Sequence, residues 1–139
     1  MGKRRVDGFF YGLFMDGDVL KDQSVTAINP RKAYVDDFEL CIGRRATLVP
    51  SEGARSYGVV YALTHEDLER LYSSPGLREY YPEAVLATTL EGQSLPALCY
   101  NLREKPGRDE ANPEYAEKLR AVLEKLNFPS DYIESISGT

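Results

Sequence analysis

The feature of this sequence that most constrains its fold is an apolar, aromatic run near the N-terminus that a glycine interrupts. The run occupies residues 9–15 and is followed by Asp16-Gly17-Asp18. A run of this kind predicts a buried strand. Gly12 permits a close approach of another group, so the strand is expected to end in a turn whose N–H groups the sheet no longer uses. Such amides can bind a carbonyl or a carboxylate. The alternative is a strand end or β-bulge without a ligand.

The remainder of the sequence predicts a mixture of strands and helices. Strands are indicated at 33–42, 46–49, 56–63, 84–90 and 95–102, with turns at 51–55 and 91–94. A helix is predicted from His65 to about residue 72, because Thr64 and Asp67 form a start similar to a capping box. Asn112 and Pro113 predict the start of a longer helix. The chain of 139 residues is therefore expected to form one α+β domain over residues 1–139.

Seven segments occur in an order that points to a known family. They are residues 10–14, 44–50, 57–64, 67–71, 75–77, 80–85 and 96–100. Together they resemble the γ-glutamylcyclotransferase-like family of small α+β barrels. The resemblance implies a mixed β-barrel with flanking helices. It also implies an intramolecular acyl transfer in which the α-amino group of a γ-glutamyl unit attacks its side-chain carbonyl, forms 5-oxoproline and expels an amine, with neither a metal nor another cofactor.

The resemblance assigns substrate binding to the turn after the first strand. In the family this turn forms one wall of the pocket, and its backbone amides hold the glutamyl group. The corresponding residues here are Tyr11, Gly12, Leu13, Phe14 and Met15. Family members usually have a small or polar residue after this glycine, whereas Leu13 follows it here. The pocket wall is therefore expected to be more apolar than is usual in the family. Tyr100 is a further candidate that would donate a hydrogen bond; the alternative is a tyrosine packed on a strand.

The family's catalytic position is changed in this sequence. The resemblance places the general base, a glutamate, directly before a glycine in the turn that follows the helix at 68–71. Pro75 precedes Gly76 here, and proline cannot accept a proton. Glu79 and Glu83 are the nearest carboxylates, and either one is a candidate catalytic base; the alternative for each is a solvated loop residue. A positioned general base typically accelerates a reaction ~10²–10⁴-fold. The sequence thus supports an enzyme or, alternatively, a non-catalytic small-molecule-binding module on the same fold.

Composition bears on the partners of this protein. The formal net charge of −5 argues against nucleic-acid binding, which needs a basic face. Cys41 and Cys99 form neither a metal pattern nor a disulfide framework, so buried free thiols and a cytoplasmic location are expected. Arg44 and Arg45 predict a solvated hairpin; the alternative is that one of them pairs with a substrate carboxylate. We expect a small-molecule ligand and no membrane partner, while the sequence leaves the oligomeric state open.

Overall fold

The computed structural model describes residues 4–137, and this range contains five β-strands and four α-helices. The strands are β1 (Arg5–Phe10), β2 (Ile28–Ile42), β3 (Ala46–Thr64), β4 (Tyr81–Thr89) and β5 (Ser94–Asn101). The helices are α1 (Gly17–Asp22), α2 (His65–Leu71), α3 (Pro113–Lys125) and α4 (Ser130–Ser135). The strands close into a barrel with the helices around it. The predicted α+β class and the mixed β-barrel with flanking helices are confirmed.

The barrel has the strand order β1-β3-β2-β4-β5, and β1 closes it. β1 pairs with β3 in antiparallel orientation and with β5 in parallel orientation, where Gly8 lies opposite Leu98. Within residues 4–137, closure gives every strand a neighbour on each side. The chain leaves β1 after Phe10, which lies opposite Val59 of β3.

Two predicted boundaries in the long β2–β3 hairpin are wrong. The expected turn at 51–55 is a bulge within one continuous strand, because residues 51–54 lie opposite Asp37 alone. Gly53 has φ 83°, and its N–H donates to Asp37 Oδ1 over 3.0 Å. β2 also begins at Ile28 rather than at residue 33. Pro30 is tolerated there because it falls where the register shifts, so its missing N–H interrupts no regular ladder.

Both predicted helix starts are confirmed by their caps. The Thr64 Oγ1 accepts the N–H of Asp67 over 3.1 Å at the start of α2. The Asn112 Oδ1 accepts the N–H of Tyr115 over 3.1 Å, and Pro113 is the first residue of α3. These hydrogen bonds satisfy backbone donors that a helix leaves without an internal partner.

The C-terminal part of α3 is tied to the segment that follows β1. The Lys125 Nζ lies 3.0 Å from carboxylate oxygens of both Asp16 and Asp18. α3 therefore lies along the turn between β1 and α1.

Cys99 is buried, whereas Cys41 is only partly buried, so the expectation of two buried thiols holds for one of them. Across residues 4–137 there is no helix that is both long and apolar enough to cross a membrane.

Candidate functional site

The turn after β1 is held by buried tyrosine hydroxyl groups. Tyr11 Oη donates to the carbonyl oxygen of Tyr100 over 2.7 Å. The chain then forms a 3₁₀-helical turn over Leu13–Met15, and Tyr61 Oη donates to the carbonyl oxygen of Met15 over 2.8 Å. Burial raises the pKa of Tyr11 well above its usual value. The turn is therefore anchored at both ends by hydrogen bonds that water does not weaken.

Tyr115, from the first turn of α3, contacts the centre of this turn. A Cβ atom on Gly12 would lie 2.5 Å from Tyr115 Oη, so no larger residue fits at position 12 unless the tyrosine moves. Burial raises the pKa of Tyr115 to about 12, and the nearby backbone N–H of Leu13 acts in the opposite direction. Tyr115 thus fills the space beside Gly12 in the predicted binding turn.

The sequence analysis did not identify Tyr115 as part of the site. Tyr115 is spaced at helical intervals with Leu119 and Leu123, a pattern that indicates core packing, and both leucines are fully buried on α3. The signal that would have found it is its position. Tyr115 follows the Asn112-Pro113 start by two residues, which puts it at the helix end nearest the turn after β1.

A cleft of about 260 Å³ opens beside the turn. Four parts of the chain form it: the end of β1 with the following turn and α1, the β2–β3 turn, the segment between α2 and β4, and the start of α3. Aromatic side chains predominate, and two arginines complete the wall. The lining residues are Phe10, Tyr11, Gly12, Leu13, Phe14, Val19, Arg44, Arg45, Ala46, Tyr72, Leu77, Tyr80 and Tyr115.

The wall opposite the turn is also aromatic. The rings of Tyr72 and Tyr100 stack with centroids 4.0 Å apart and an interplanar angle of 4°. Phe14 meets Tyr72 edge-on at 5.9 Å. Tyr80 Oη donates to the carbonyl oxygen of Ala46, and burial raises the pKa values of both Tyr72 and Tyr80. These phenols are consequently neutral over the physiological pH range and act as hydrogen-bonding groups.

The two arginines come from the turn between β2 and β3. Arg45 Nη2 lies 3.1 Å from Glu79 Oε2, and its Nη1 donates to the carbonyl oxygen of Gly76 over 3.2 Å. The backbone of Arg44 is fixed by Glu110, whose Oε1 accepts the Arg44 N–H over 2.9 Å. Both arginines are among the residues that line the cleft. This position agrees with the alternative in which one of them pairs with a ligand carboxylate.

The predicted binding residues divide into two groups in the structure. Tyr11, Gly12, Leu13 and Phe14 line the cleft. Met15 is fully buried and does not line it. Tyr100 also lies outside the lining, because its ring stacks behind Tyr72. Binding by any of these residues remains a prediction.

Neither candidate base lines the cleft. The Glu79 side chain is 76% exposed and reaches the rim only through its ion pair with Arg45. Glu83 is on β4, and its Oε1 accepts a hydrogen bond from Asn101 Nδ2 over 2.8 Å. Within the described range 4–137, the residues lining the cleft include no aspartate, glutamate or histidine. The cleft thus supplies apolar surface, hydrogen-bond donors and positive charge. A catalytic role for Glu79 or Glu83 remains a prediction.

The sequence matches the family described as Gamma-glutamyl cyclotransferase, AIG2-like, over residues 8–119. The chain belongs to this family. The matched range includes the second half of β1, all of β2 to β5 and every residue that lines the cleft, and it ends within α3 after Tyr115. No curated protein matches the chain in sequence.

Solved structures share the fold at low sequence identity. A structure described as a gamma-glutamyl cyclotransferase has a TM-score of 0.81 and 19% identity, covering 98% of this chain and 90% of that one. An uncharacterized protein from Homo sapiens has a TM-score of 0.79 and 20% identity, covering 99% and 90%. A protein from Arabidopsis thaliana has a TM-score of 0.68 and 23% identity, covering 91% and 88%. These similarities establish the fold.

Proposed function

We propose that the cleft binds the γ-glutamyl group of a small molecule. The α-carboxylate of such a group suits the guanidinium groups of Arg44 and Arg45, because arginine binds carboxylates through paired N–H donors. Its methylene chain suits the rings of Phe14 and Tyr72, and its α-ammonium is attracted to the faces of aromatic rings. The family match and the position of the Tyr11-Gly12 turn beside the cleft support this ligand class.

Binding without turnover is the function that this geometry supports best. The observation that carries it is the absence of an aspartate, glutamate or histidine from the cleft lining, within the described residues. An α-ammonium must lose a proton before its nitrogen can attack the side-chain carbonyl. Tyrosines with raised pKa values do not accept that proton near neutral pH, and arginine remains protonated. The cleft therefore holds groups that bind the substrate of the family reaction without a group that starts the reaction.

The second candidate function is cyclisation to 5-oxoproline, and the Arg45–Glu79 ion pair favours it. A ligand α-carboxylate on Arg45 competes with Glu79 for the same guanidinium. Glu79, once displaced, would be a free carboxylate at the rim and would accept a proton from the α-ammonium. The resulting amine would attack the γ-carbonyl, the amide bond would break, and the leaving amine would take up the proton. Glu83 is a weaker candidate base because Asn101 holds it away from the cleft.

Calorimetry and an assay for 5-oxoproline release, run on the same γ-glutamyl compounds, test this proposal. Wild type should bind at least one compound and should release no 5-oxoproline above the uncatalysed rate. Glu79→Gln and Glu83→Gln are the informative variants. Glu91→Gln is the matched control, because Glu91 is an exposed residue of the turn between β4 and β5. Turnover that only Glu79→Gln abolishes would establish the cyclisation function instead. A folded protein that binds none of the compounds would refute the proposal.

A further inference from the structure

A second hollow lies directly beside the cleft, on the other side of Arg45 and Tyr80. It has a volume of about 520 Å³, and these two residues line both spaces. The cleft is mainly aromatic, whereas the hollow is mainly charged. The two spaces are therefore neighbours, and a ligand that occupies both passes Arg45 and Tyr80. In such a ligand the residues of the hollow contact what is attached to the γ-glutamyl unit.

Positive charge exceeds negative charge around this hollow. Four cationic side chains line it, namely Arg45, Arg78, Arg103 and Lys105. Three carboxylates also line it, namely Glu79, Glu104 and Glu110. A count of charges alone gives only a small positive balance, so the hydrogen bonds of the carboxylates decide how much negative charge a ligand would meet.

Two of the three carboxylates are engaged within the protein. Glu79 forms the ion pair with Arg45. Glu110 Oε1 accepts the N–H of Arg44, and its Oε2 accepts the N–H of Gly107, each over 2.9 Å. These two backbone hydrogen bonds lower the pKa of Glu110 and use both of its oxygens. Glu110 therefore keeps its charge, but both of its oxygens are directed to the loop that it holds together.

The cationic side chains of the hollow retain N–H donors that can bind a ligand. The Arg103 guanidinium lies over the ring of Tyr81, with its central carbon 4.6 Å from the ring centroid, which places it on the wall of the hollow. Arg78 Nε donates to the carbonyl oxygen of Ser73 over 3.2 Å. A guanidinium has five N–H donors, so one such contact leaves most of them for an anion. Because these groups surround a concave space, their fields add there.

We propose that the ligand carries an acidic group on the part of the molecule beyond the γ-glutamyl amide, and that this group binds over the hollow. The ligand class is a γ-glutamyl derivative of an acidic amino acid, in which a side-chain carboxylate meets Arg103 and Lys105. This inference rests on the proposed binding of γ-glutamyl compounds in the cleft. It adds a preference among them that does not depend on whether the amide is cleaved.

The test compares γ-glutamyl-glutamate with γ-glutamyl-glutamine, which differ only in one carboxylate against one carboxamide. Calorimetry at low salt should show about fivefold tighter binding of the acidic compound, as a charge-assisted hydrogen bond to arginine predicts. Raising the salt concentration should reduce that ratio. Arg103→Gln should bring the two affinities to within about twofold of each other, and Arg103→Lys should restore part of the preference because it restores the charge.

Arg108→Gln is the matched control, since Arg108 is exposed in the same loop but lines a different part of the surface. It should leave the preference unchanged, and circular dichroism should show that each variant is folded. Equal wild-type affinities for the two compounds would overturn this inference alone and leave γ-glutamyl binding established. A preference that survives in Arg103→Gln at full size would also overturn it. Binding of neither compound would overturn this inference, and binding of no γ-glutamyl compound at all would overturn the proposed function as well.

Discussion

The two facing walls of the cleft differ in how the protein holds them. The turn wall, residues 11–15, is fixed by hydrogen bonds from the hydroxyl groups of Tyr11 and Tyr61 and is packed against Tyr115. The loop wall, residues 76–80, is mostly exposed; it is held by the hydrogen bond of Tyr80 to Ala46 and by contacts with Arg45 that include a carboxylate that is 76% exposed. Buried hydrogen bonds are costly to break, whereas ion pairs in solvent contribute little. The turn wall therefore depends on buried contacts along its length, whereas the loop wall depends on them only at Tyr80.

This difference predicts where substitutions in the cleft are best tolerated. Pro75, the position at which the resemblance leads us to expect a general base, is exposed next to the loop wall, and a change of the family's base there remains a prediction. A substitution at an exposed loop position has a small effect on stability. A substitution in the turn wall disturbs buried groups. We therefore expect the loop wall to tolerate substitutions better than the turn wall.

The largest effect is expected for Gly12→Ala in the turn wall. Its Cβ would meet Tyr115 Oη at 2.5 Å, so the variant should lose about 1–3 kcal/mol of unfolding free energy, and ligand affinity should fall about tenfold or more. Urea unfolding and calorimetry measure the two quantities. Gly17→Ala is the matched control, because its nearest neighbour would be 3.4 Å away and alanine favours a helix.

Removing the Tyr115 hydroxyl should relieve part of that defect. The next atom of Tyr115, Cζ, would lie 3.8 Å from the new Cβ, an ordinary contact distance. Gly12→Ala with Tyr115→Phe should therefore be more stable than the sum of the two single variants by about 1 kcal/mol. Additive effects in the double variant would show that this contact does not determine the shape of the turn wall.

Alkaline pH should destabilise the folded protein in part through Tyr115, which packs against the turn wall. Burial raises the pKa of Tyr115 to about 12 from its usual 10.0, so the folded state holds this proton more tightly than the unfolded state. The resulting stability is complete below about pH 10 and is lost as pH rises towards 12, at about 1.4 kcal/mol per pH unit for each such group. Urea unfolding between pH 9 and 11 should show a shallower decline for Tyr115→Phe. Identical slopes for the variant and wild type would contradict this prediction.

Arg45→Gln should separate binding from stability. The variant should bind γ-glutamyl compounds about tenfold more weakly, because it removes a charge-assisted hydrogen bond to the ligand. Its unfolding free energy should change by less than about 1 kcal/mol, since its partner Glu79 is exposed to solvent. Arg55→Gln is the control, because Arg55 forms an exposed ion pair with Asp36 and does not line the cleft. A loss of affinity shared by both variants would argue against a specific role for Arg45.

The smallest effect is expected for Glu79→Gln in the loop wall. The unfolding free energy should change by less than about 0.5 kcal/mol, as is usual for an exposed ion pair. Ligand affinity should rise by about twofold, because Arg45 no longer has an internal carboxylate that competes with the ligand. Weaker binding in this variant would indicate that Glu79 contacts the ligand ammonium, as the second candidate function requires.

Much of the fold was accessible from the sequence because its signals are local. The caps at Thr64 and Asn112 fix both helix starts through contacts that span three residues. The residues around Gly53 predicted a turn, and the conclusion that a strand ends there was wrong. Gly53 does adopt the positive φ typical of a turn, but the strand continues across this segment as a bulge. No local pattern distinguishes a bulge from a hairpin turn.

The sequence by itself determined the barrel class and the apolar turn after β1, since these follow from residue type and chain order. Only the tertiary structure decided which side chains meet in the cleft. Tyr115 lies against Gly12 across about a hundred residues, Arg45 reaches Glu79 across 34, and Asn101 holds Glu83 outside the lining. Such contacts depend on how the barrel closes and on where α3 lies against the turn. Barrel closure and helix placement depend on packing over the whole chain, and no short segment specifies either.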